Sequence, residues 1–321
     1  MKIAVTGGTG FVGSHLAEAL TAGGHEVVLL ARGVDGREQA ERVHALPGVT
    51  FRAVDVADPG SIRDALAGCD AVAHCAGINR EIGAQTYDAV HVEGTRNLVA
   101  AAEAAGVARF VLVSFLRARP DCGSPYHESK WAAEEIVRAS TLEWTIVKPG
   151  MMFGRGDHML DHLSRALHTF PVYVGIGSRR VRPLAVGDLV RVMVAVLVDG
   201  RLTRQTVALT GPDEMTFDDA VRAVAREIDR HPLVVRAPLA FHWVLAWVSE
   251  KLMVIPLVSA AQVRILSEEV VAPTRAPDAL PADLVPTEPF SARTIRAGLP
   301  APARFGRADL RCRSFAVARS S

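Results

Sequence analysis

The chain has 321 residues and only four cysteines, Cys69, Cys75, Cys122 and Cys312. They form no CxxC pair and no metal-ligand spacing. That excludes a disulfide framework as the organising device and points to reduced thiols in a soluble, cytoplasmic protein. An excess of either charge is also missing. Lys and Arg number 36 against 35 Asp and Glu, a formal net charge of +1, so electrostatics makes no case for nucleic acid as a partner. Uncharged apolar runs stay well short of the roughly 20 residues that a bilayer span requires. An apolar strand pattern starts two residues into the chain, so no signal peptide is expected. Hydrophobic residues make up 49%, enough for a sizeable core. The length suits one large domain or a domain with a smaller lobe.

The most specific local pattern is Met1-Lys-Ile-Ala-Val-Thr-Gly-Gly-Thr-Gly-Phe-Val-Gly13. Residues 3–5 read as a buried strand. Gly7, Gly10 and Gly13 follow at three-residue spacing, and Phe11, Val12, Leu16 and Leu20 then mark a helix. Strand, glycine turn and helix in that order are the context of a dinucleotide-binding loop. One glycine permits the turn, one lets the backbone approach a pyrophosphate, and one lets the helix pack close to the strand. The helix N-terminus supplies N–H groups and a positive dipole end. Gly7, Thr9, Gly10, Phe11, Val12 and Gly13 are therefore candidate cofactor contacts. The competing reading is a purely structural turn.

Apolar strand patterns at 3–5, 27–30, 51–54, 71–74, 110–113 and 144–147 alternate with helical ones, including 62–67, 97–105 and 131–139. This predicts an α/β, Rossmann-type doubly wound parallel sheet. Residues 1–150 are expected to form its core, with segments around 181–210 returning to it. Residues 151–272 are expected to form a smaller substrate-side lobe, and 273–321 a proline-rich tail that wraps the surface as extended chain or is partly disordered.

Ligands of such a sheet sit at the carboxyl ends of its strands. The second strand ends at Leu30-Ala31-Arg32, where an NAD-preferring enzyme often carries an acid for the ribose 2′-hydroxyl. Arg32, with Arg37 after it, suits a 2′-phosphate instead. The reading is NADP(H) preferred, with NAD(H) kept open by Asp35. Asp55, beside Val56, is free to accept from an adenine amino group, because Asp58 before Pro59 fits the role of helix cap better. His74-Cys75-Ala76-Gly77 are small enough after the fourth strand for backbone to lie against a cofactor. Cys75 reads as a packing residue rather than a nucleophile.

Tyr126 and Lys130 stand at i, i+4 on one helix face after the fifth strand. A nearby ammonium stabilises phenolate, so the pair suits general acid–base work with a lowered Tyr126 pKa. Together with the glycine loop, Asp55-Val56, His74-Cys75-Ala76-Gly77 and Val147-Lys148-Pro149-Gly150, these residues make the chain resemble the short-chain dehydrogenase/reductase superfamily in its extended or atypical branch. It is most similar to the subgroup containing the NAD(P)H-binding accessory subunit of respiratory complex I and its bacterial relatives. That similarity rests on Gly77-Ile78-Asn79-Arg80-Glu81, His91-Val92-Glu93-Gly94-Thr95-Arg96-Asn97-Leu98, Tyr126-His127-Glu128-Ser129-Lys130-Trp131, Phe153-Gly154-Arg155-Gly156-Asp157 and Arg182-Pro183-Leu184-Ala185-Val186-Gly187-Asp188-Leu189. It spans roughly residues 1–230.

The resemblance implies that Tyr126 gives or takes a proton and that Lys130 holds the nicotinamide ribose. It also implies that residues 149–152, Pro149 and Met151 among them, border the nicotinamide. Two positions depart from the family pattern. Leu116 stands where catalytic members place Ser or Thr, which leaves Ser114 as the candidate hydroxyl, and His91 stands where many relatives carry Asn.

In the second half, His158 and His162 share a face with metal-site spacing, but without HExxH or a third ligand the amphipathic surface helix is favoured. Thr216 is a candidate N-cap. Residues 237–263 are unusually apolar, with Phe241, Trp243 and Trp247. They read as a lobe-packing helix, a dimer or partner interface, or an interfacial membrane helix that would hold the protein at the inner face of a membrane through 238–258. The expected function is an NAD(P)-dependent oxidoreductase, or an epimerase or isomerase with bound NAD(P), acting on a small carbonyl or hydroxyl substrate. The alternative is a weakly catalytic or non-catalytic cofactor-binding protein that supports a respiratory or membrane-associated assembly.

Overall fold

The structure, a computed structural model, describes residues 1–33, 38–62, 64–253, 256–306 and 309. The chain divides into two compact units. One comprises Met1–Gly150, Leu184–Thr210 and Ala272–Glu288; the other comprises Met151–Pro183, Gly211–Val271 and Pro289–Ser321.

The first unit is built on β1 (Lys2–Thr6), β2 (Glu26–Ala31), β3 (Val49–Ala53), β4 (Ala71–His74), β5 (Arg109–Val113), β6 (Glu143–Pro149) and a seventh strand, Gln205–Leu209. Their order is Gln205–Leu209, β6, β5, β4, β1, β2, β3. Every pairing in the sheet is parallel. The chain winds outward from β1 through β2 to β3, then crosses back to β4. That reversal between β1 and β4 opens a crevice at the strands' carboxyl ends, where ligands of such sheets bind.

Both faces of the sheet are covered, so its strands are apolar on both sides. Ala4, Val28, Leu30, Val72, Phe110, Leu112, Trp144 and Ile146 point into one core layer with Leu98 and Val137. Leu98 lies on α4 (Gly94–Ala104) and Val137 on α5 (Pro125–Arg138). On the other face lie α1 (Phe11–Ala22), which buries Leu16 and Leu20, and α7 (Val186–Leu197). The helices α2 (Glu38–His44) and α3 (Pro59–Ile62) connect the outer strands. The helix expected over 62–67 is instead the single turn Pro59–Ile62, with 64–68 in turn conformation; Asp58 Oδ1 accepts the Gly60 N–H at 2.9 Å at its start. A six-residue π-helix, Asp88–Glu93, leads directly into α4.

The second unit contains α6 (His158–Thr169), α8 (Phe217–Glu227), α9 (Leu239–Leu252), α10 (Ala260–Ser267) and α11 (Ala292–Gly298). A parallel pair of short strands, Val172–Gly175 and Leu233–Arg236, joins them. Thr216 caps α8, its hydroxyl accepting the Asp219 N–H at 3.1 Å. Asp157 caps α6 through Leu160 N–H at 2.8 Å. His162 is held by the Leu257 carbonyl.

The stretch 273–302, expected as extended chain over the surface or partly disordered, is non-helical over most of its length but carries buried anchors and two short helical segments. Leu284, Phe290 and Ile295 are buried, and a Ser291–Thr294 capping box starts α11. Its prolines fall outside that helix, so they punctuate the path without breaking it.

Candidate functional site

Each element contributes to the site through its end. β1 finishes at Thr6, and the chain turns at Gly7, whose φ is +63°. A Cβ there would lie 2.9 Å from Ala76 N and Cα. Only glycine relieves both the left-handed conformation and that contact with the backbone after β4. Gly10 is the N-cap of α1 and presents no side chain. Gly13, one turn on, would carry its Cβ 2.3 Å from the Gly7 carbonyl oxygen, so its bareness sets the close approach of helix to loop. Gly10 N–H closes the turn onto Gly7 O at 2.8 Å, and Gly7 N–H bonds Leu30 O at 2.9 Å.

Arg32 follows β2 and is exposed; Asp55 and Val56 follow β3 on the neighbouring strand. One Asp55 oxygen accepts the Ala57 N–H at 3.0 Å. Val56 is buried against Gly94, whose Cβ would meet Val56 Cγ2 at 2.8 Å. Arg37 and Asp35 lie outside the described residues.

The second cluster joins the loop after β4 to α5. A Cβ on Gly77 would stand 3.0 Å from Lys130 Nζ and 3.4 Å from His91 Nε2, so the bare backbone makes room for both. Lys130 is buried and donates to Val113 O at 3.3 Å. Burial lowers its pKa to about 8, against the raising influence of Cys75 and Glu134. The ammonium is therefore mostly charged at neutral pH. The Cys75 thiol is pushed up to about 12 by burial, with Lys130 opposing, which leaves it protonated and poorly nucleophilic.

Tyr126 packs edge-to-face against Tyr87, His91 and Phe115 at 5.7, 5.8 and 5.5 Å. Burial raises its phenol well above the usual value, and Tyr87 adds to the rise. The phenol is thus raised, not lowered as the i, i+4 spacing led one to expect, because desolvation of the buried ring is the largest influence on it.

Ser114 and Leu116 sit beyond β5. The Ser114 hydroxyl donates to Glu134 at 2.5 Å, and Glu134 also holds Lys148 at 2.6 Å and Arg138 at 2.8 Å. The hydroxyl expected to serve a substrate is therefore committed to a buried carboxylate. Leu116 is fully buried, and its N–H bonds Pro149 O at 2.9 Å. Pro149 ends β6, and Met151 opens the second unit.

Sequence reasoning missed the polar network beneath the site. β1 and β4 pair Thr6 with His74. Ala76 N–H donates to Thr6 Oγ1 at 3.3 Å, and the Thr6 hydroxyl donates to His74 Nδ1 at 2.7 Å. His74 Nε2 then donates to Thr95 Oγ1 at 3.1 Å, whose own proton goes to His91 O at 2.5 Å. His91 accepts Ile78 N–H on Nε2 at 3.1 Å and donates from Nδ1 to Ser129 Oγ at 2.9 Å, and Ser129 donates to Tyr126 O at 3.0 Å. Every donor finds one acceptor, which assigns both tautomers. Burial lowers His74 to about 3, and it holds His91 well below its ordinary value, so both rings are neutral. The signal in the sequence was the polar residue ending each of two apolar strands, Thr6 and His74.

The residues fit a dinucleotide. The turn at Gly7–Gly13 is a cradle that a Cβ would fill, it opens on a bare helix N-terminus, and a buried ammonium lies beyond Gly77.

Residues 7–162 match the NAD(P)H-binding family model. The ceramide reductase of Caulobacter vibrioides is 30% identical over 237 residues, which cover 74% of this chain and 73% of that protein. This chain belongs to the short-chain dehydrogenase/reductase superfamily, in its atypical, extended branch. Another superfamily relative is subunit 9 of the NADH dehydrogenase [ubiquinone] 1 alpha subcomplex of Arabidopsis thaliana, 30% identical over 73% of this chain and 60% of its own length. An uncharacterized Mycobacterium tuberculosis protein is 30% identical over 241 residues, and this chain spans 24% of its length. The superfamily fold recurs in the structure of UDP-glucuronic acid 4-epimerase from Bacillus cereus in complex with UDP-glucuronic acid and NAD. Its TM-score is 0.69 at 17% identity, with 92% of this chain and 97% of that one covered.

Proposed function

We propose that the protein is an NADP(H)-preferring reductase of a small carbonyl compound. The observation that carries the reading is the charged, buried Lys130 beside Gly77, on the same helix face as the protonated phenol of Tyr126. The cofactor, when bound, supplies the hydride. Gly7, Thr9, Gly10, Phe11, Val12 and Gly13 would hold its pyrophosphate, Arg32 the 2′-phosphate, and Asp55 and Val56 the adenine. Cys75, Ala76, Gly77, Pro149 and Met151 would border the rest, with Lys130 on the ribose hydroxyls. Tyr126 donates its proton to the substrate oxygen as that oxygen gains negative charge, and takes one back in the reverse direction. The raised phenol is protonated at neutral pH and can donate, but the rise makes it a weaker acid than an exposed tyrosine, so transfer relies on the charge growing on the substrate oxygen.

The test is direct. NADPH is expected to bind more tightly than NADH in titration calorimetry, and Arg32→Ala to erase the difference; equal affinities in the unaltered chain would sink the NADP assignment. Tyr126→Phe is expected to abolish NADPH-dependent carbonyl reduction while leaving the NADPH Kd nearly unchanged. A relative named ceramide reductase puts ceramide-type compounds in the substrate panel.

A second reading has its own support. Ser114 is spent on Glu134 and Leu116 offers no hydrogen bond, which fits a protein that holds its cofactor within an assembly. Tight NADPH binding without turnover across the panel would favour it.

A further inference from the structure

Helix α9 is built inside out. Its buried residues are His242, Ala246 and Ser249, at i, i+4 and i+7. The two polar ones are tied down within the second unit. His242 Nε2 meets Val174 O at 3.3 Å, and the Ser249 hydroxyl donates to Val258 O at 2.8 Å. The apolar side chains face out instead: Trp247 is 65% exposed and Val244 61%, with Phe241, Trp243, Val248 and Leu252 also exposed. The strand pair that His242 touches continues the pattern, with Val172, Leu233 and Val235 exposed on it. Soluble monomers rarely leave so many large apolar groups in water without a use for them.

The chemistry of the patch indicates what covers it. On the exposed arc of α9 the polar groups are the two indole N–H groups and Lys251. A protein interface needs about one hydrogen bond per 100–200 Å², and this face offers almost none. Its one acid, Glu250, is turned inward to accept the Ala260 N–H at 2.9 Å. The exposed charges flanking the strand Leu233–Arg236 and the end of α9 are mainly cations. They are Arg230, Arg236, which reaches Asp218 at 3.4 Å, and Lys251, with Asp229 facing His231 at 3.9 Å. Indoles favour the boundary between headgroups and hydrocarbon, and lysine reaches from it to anionic phosphates. With 14 residues, α9 is about 21 Å long. Among the described residues no helix is long and apolar enough to cross a membrane, so α9 suits lying in the plane of the interface.

We infer that the outward face of α9 is a docking surface for an anionic lipid bilayer, with Trp243, Val244, Trp247 and Val248 inserted below the headgroups and Lys251 paired to phosphate. This does not rest on the reductase reading. The test is flotation of the full chain with vesicles of equal parts phosphatidylglycerol and phosphatidylcholine, and with phosphatidylcholine alone. The chain is expected to float with the anionic vesicles and to bind the neutral ones more weakly. The double substitution Val244→Ser, Trp247→Ser is expected to weaken anionic binding at least tenfold. Because both side chains are exposed, its thermal unfolding and NADPH titration should match the unaltered chain. Lys251→Glu is expected to reduce binding to anionic vesicles and leave binding to neutral ones unchanged. Absence of binding to anionic vesicles, equal binding by the double variant, or a self-association in sedimentation velocity that the double variant abolishes would each overturn the inference.

Discussion

Replacing Gly10 and Gly13 by alanine separates a phosphate-binding loop from a merely structural turn. At Gly13 the new Cβ lands 2.3 Å from Gly7 O and 2.8 Å from Gly8 Cα, both backbone atoms that cannot swing away. Overpacking of this kind costs about 1–3 kcal/mol. For a domain of this size each kcal/mol shifts Tm by roughly 2–4 °C, so Gly13→Ala is expected to unfold several degrees early. Gly10 is different. Its φ of −83° and ψ of −179° suit alanine, and the one atom within 4 Å of its Cβ is Gly7 O at 3.1 Å. Alanine is the poorer N-cap by a few tenths of a kcal/mol or more, while the stiffer unfolded chain returns about 0.4–1 kcal/mol. Stability should stay within about 0.5 kcal/mol of the unaltered chain. The added methyl nevertheless occupies the mouth of the helix N-terminus, where backbone must approach phosphate. NADPH affinity is expected to fall at least tenfold, which corresponds to about 1.4 kcal/mol. Thermal unfolding and titration calorimetry on both variants give the comparison. A stable Gly10→Ala chain that binds NADPH as well as the unaltered chain would refute the phosphate-binding reading.

Two pH dependences follow from buried groups, with opposite signs. His74 is lowered to about 3 by burial, so its contribution is fully present above about pH 6.5 and is lost as pH falls towards 3. Urea unfolding at pH 7 and 5 is expected to show a loss of about 2 kcal/mol from this ring, and His74→Asn should flatten the slope; an unchanged slope would remove His74 from the account. Asp157 is raised to about 7 by burial, against the backbone N–H groups of Gly154, Leu160 and Met159. Its contribution is present below about pH 4 and lost as pH rises through 7. Asp157→Asn keeps one capping oxygen for Leu160 N–H but loses the acceptor for Gly154 N–H, so the variant should start less stable at low pH and lose less stability than the unaltered chain between pH 5 and 8. Parallel stability profiles for the two would contradict the buried-acid reading.

Local chemistry made much of the fold legible. A continuous apolar strand followed by bare glycines and a helical period admits few structures, and the six strands appear where the apolar runs stand, within two residues at their ends. The loops that carry Arg32, Asp55 and Gly77 could be placed in the same way, because each lies within three residues of the end of such a run; what these residues hold is a proposal. The buried anchors of the tail were not legible, because proline content reports where a helix cannot run, not whether the chain between prolines is packed. Burial of Leu284, Phe290 and Ile295 depends on partners far away in sequence.

By itself, then, the sequence determined the parallel sheet, the glycine loop and the Tyr126–Lys130 helix face, since these follow from periodicity and from the steric freedom of glycine over a few residues. Only the tertiary structure decided the electrical state of the site. Lys130 near 8, a protonated Tyr126 and neutral His74 and His91 arise from desolvation by neighbours brought together across strands and helices. The same holds for Ser114, whose hydroxyl went to Glu134, and for α9, whose apolar face turned outward because His242 and Ser249 found their partners on the inside. Which face of a helix is buried depends on what it packs against, and spacing along the chain carries no record of that.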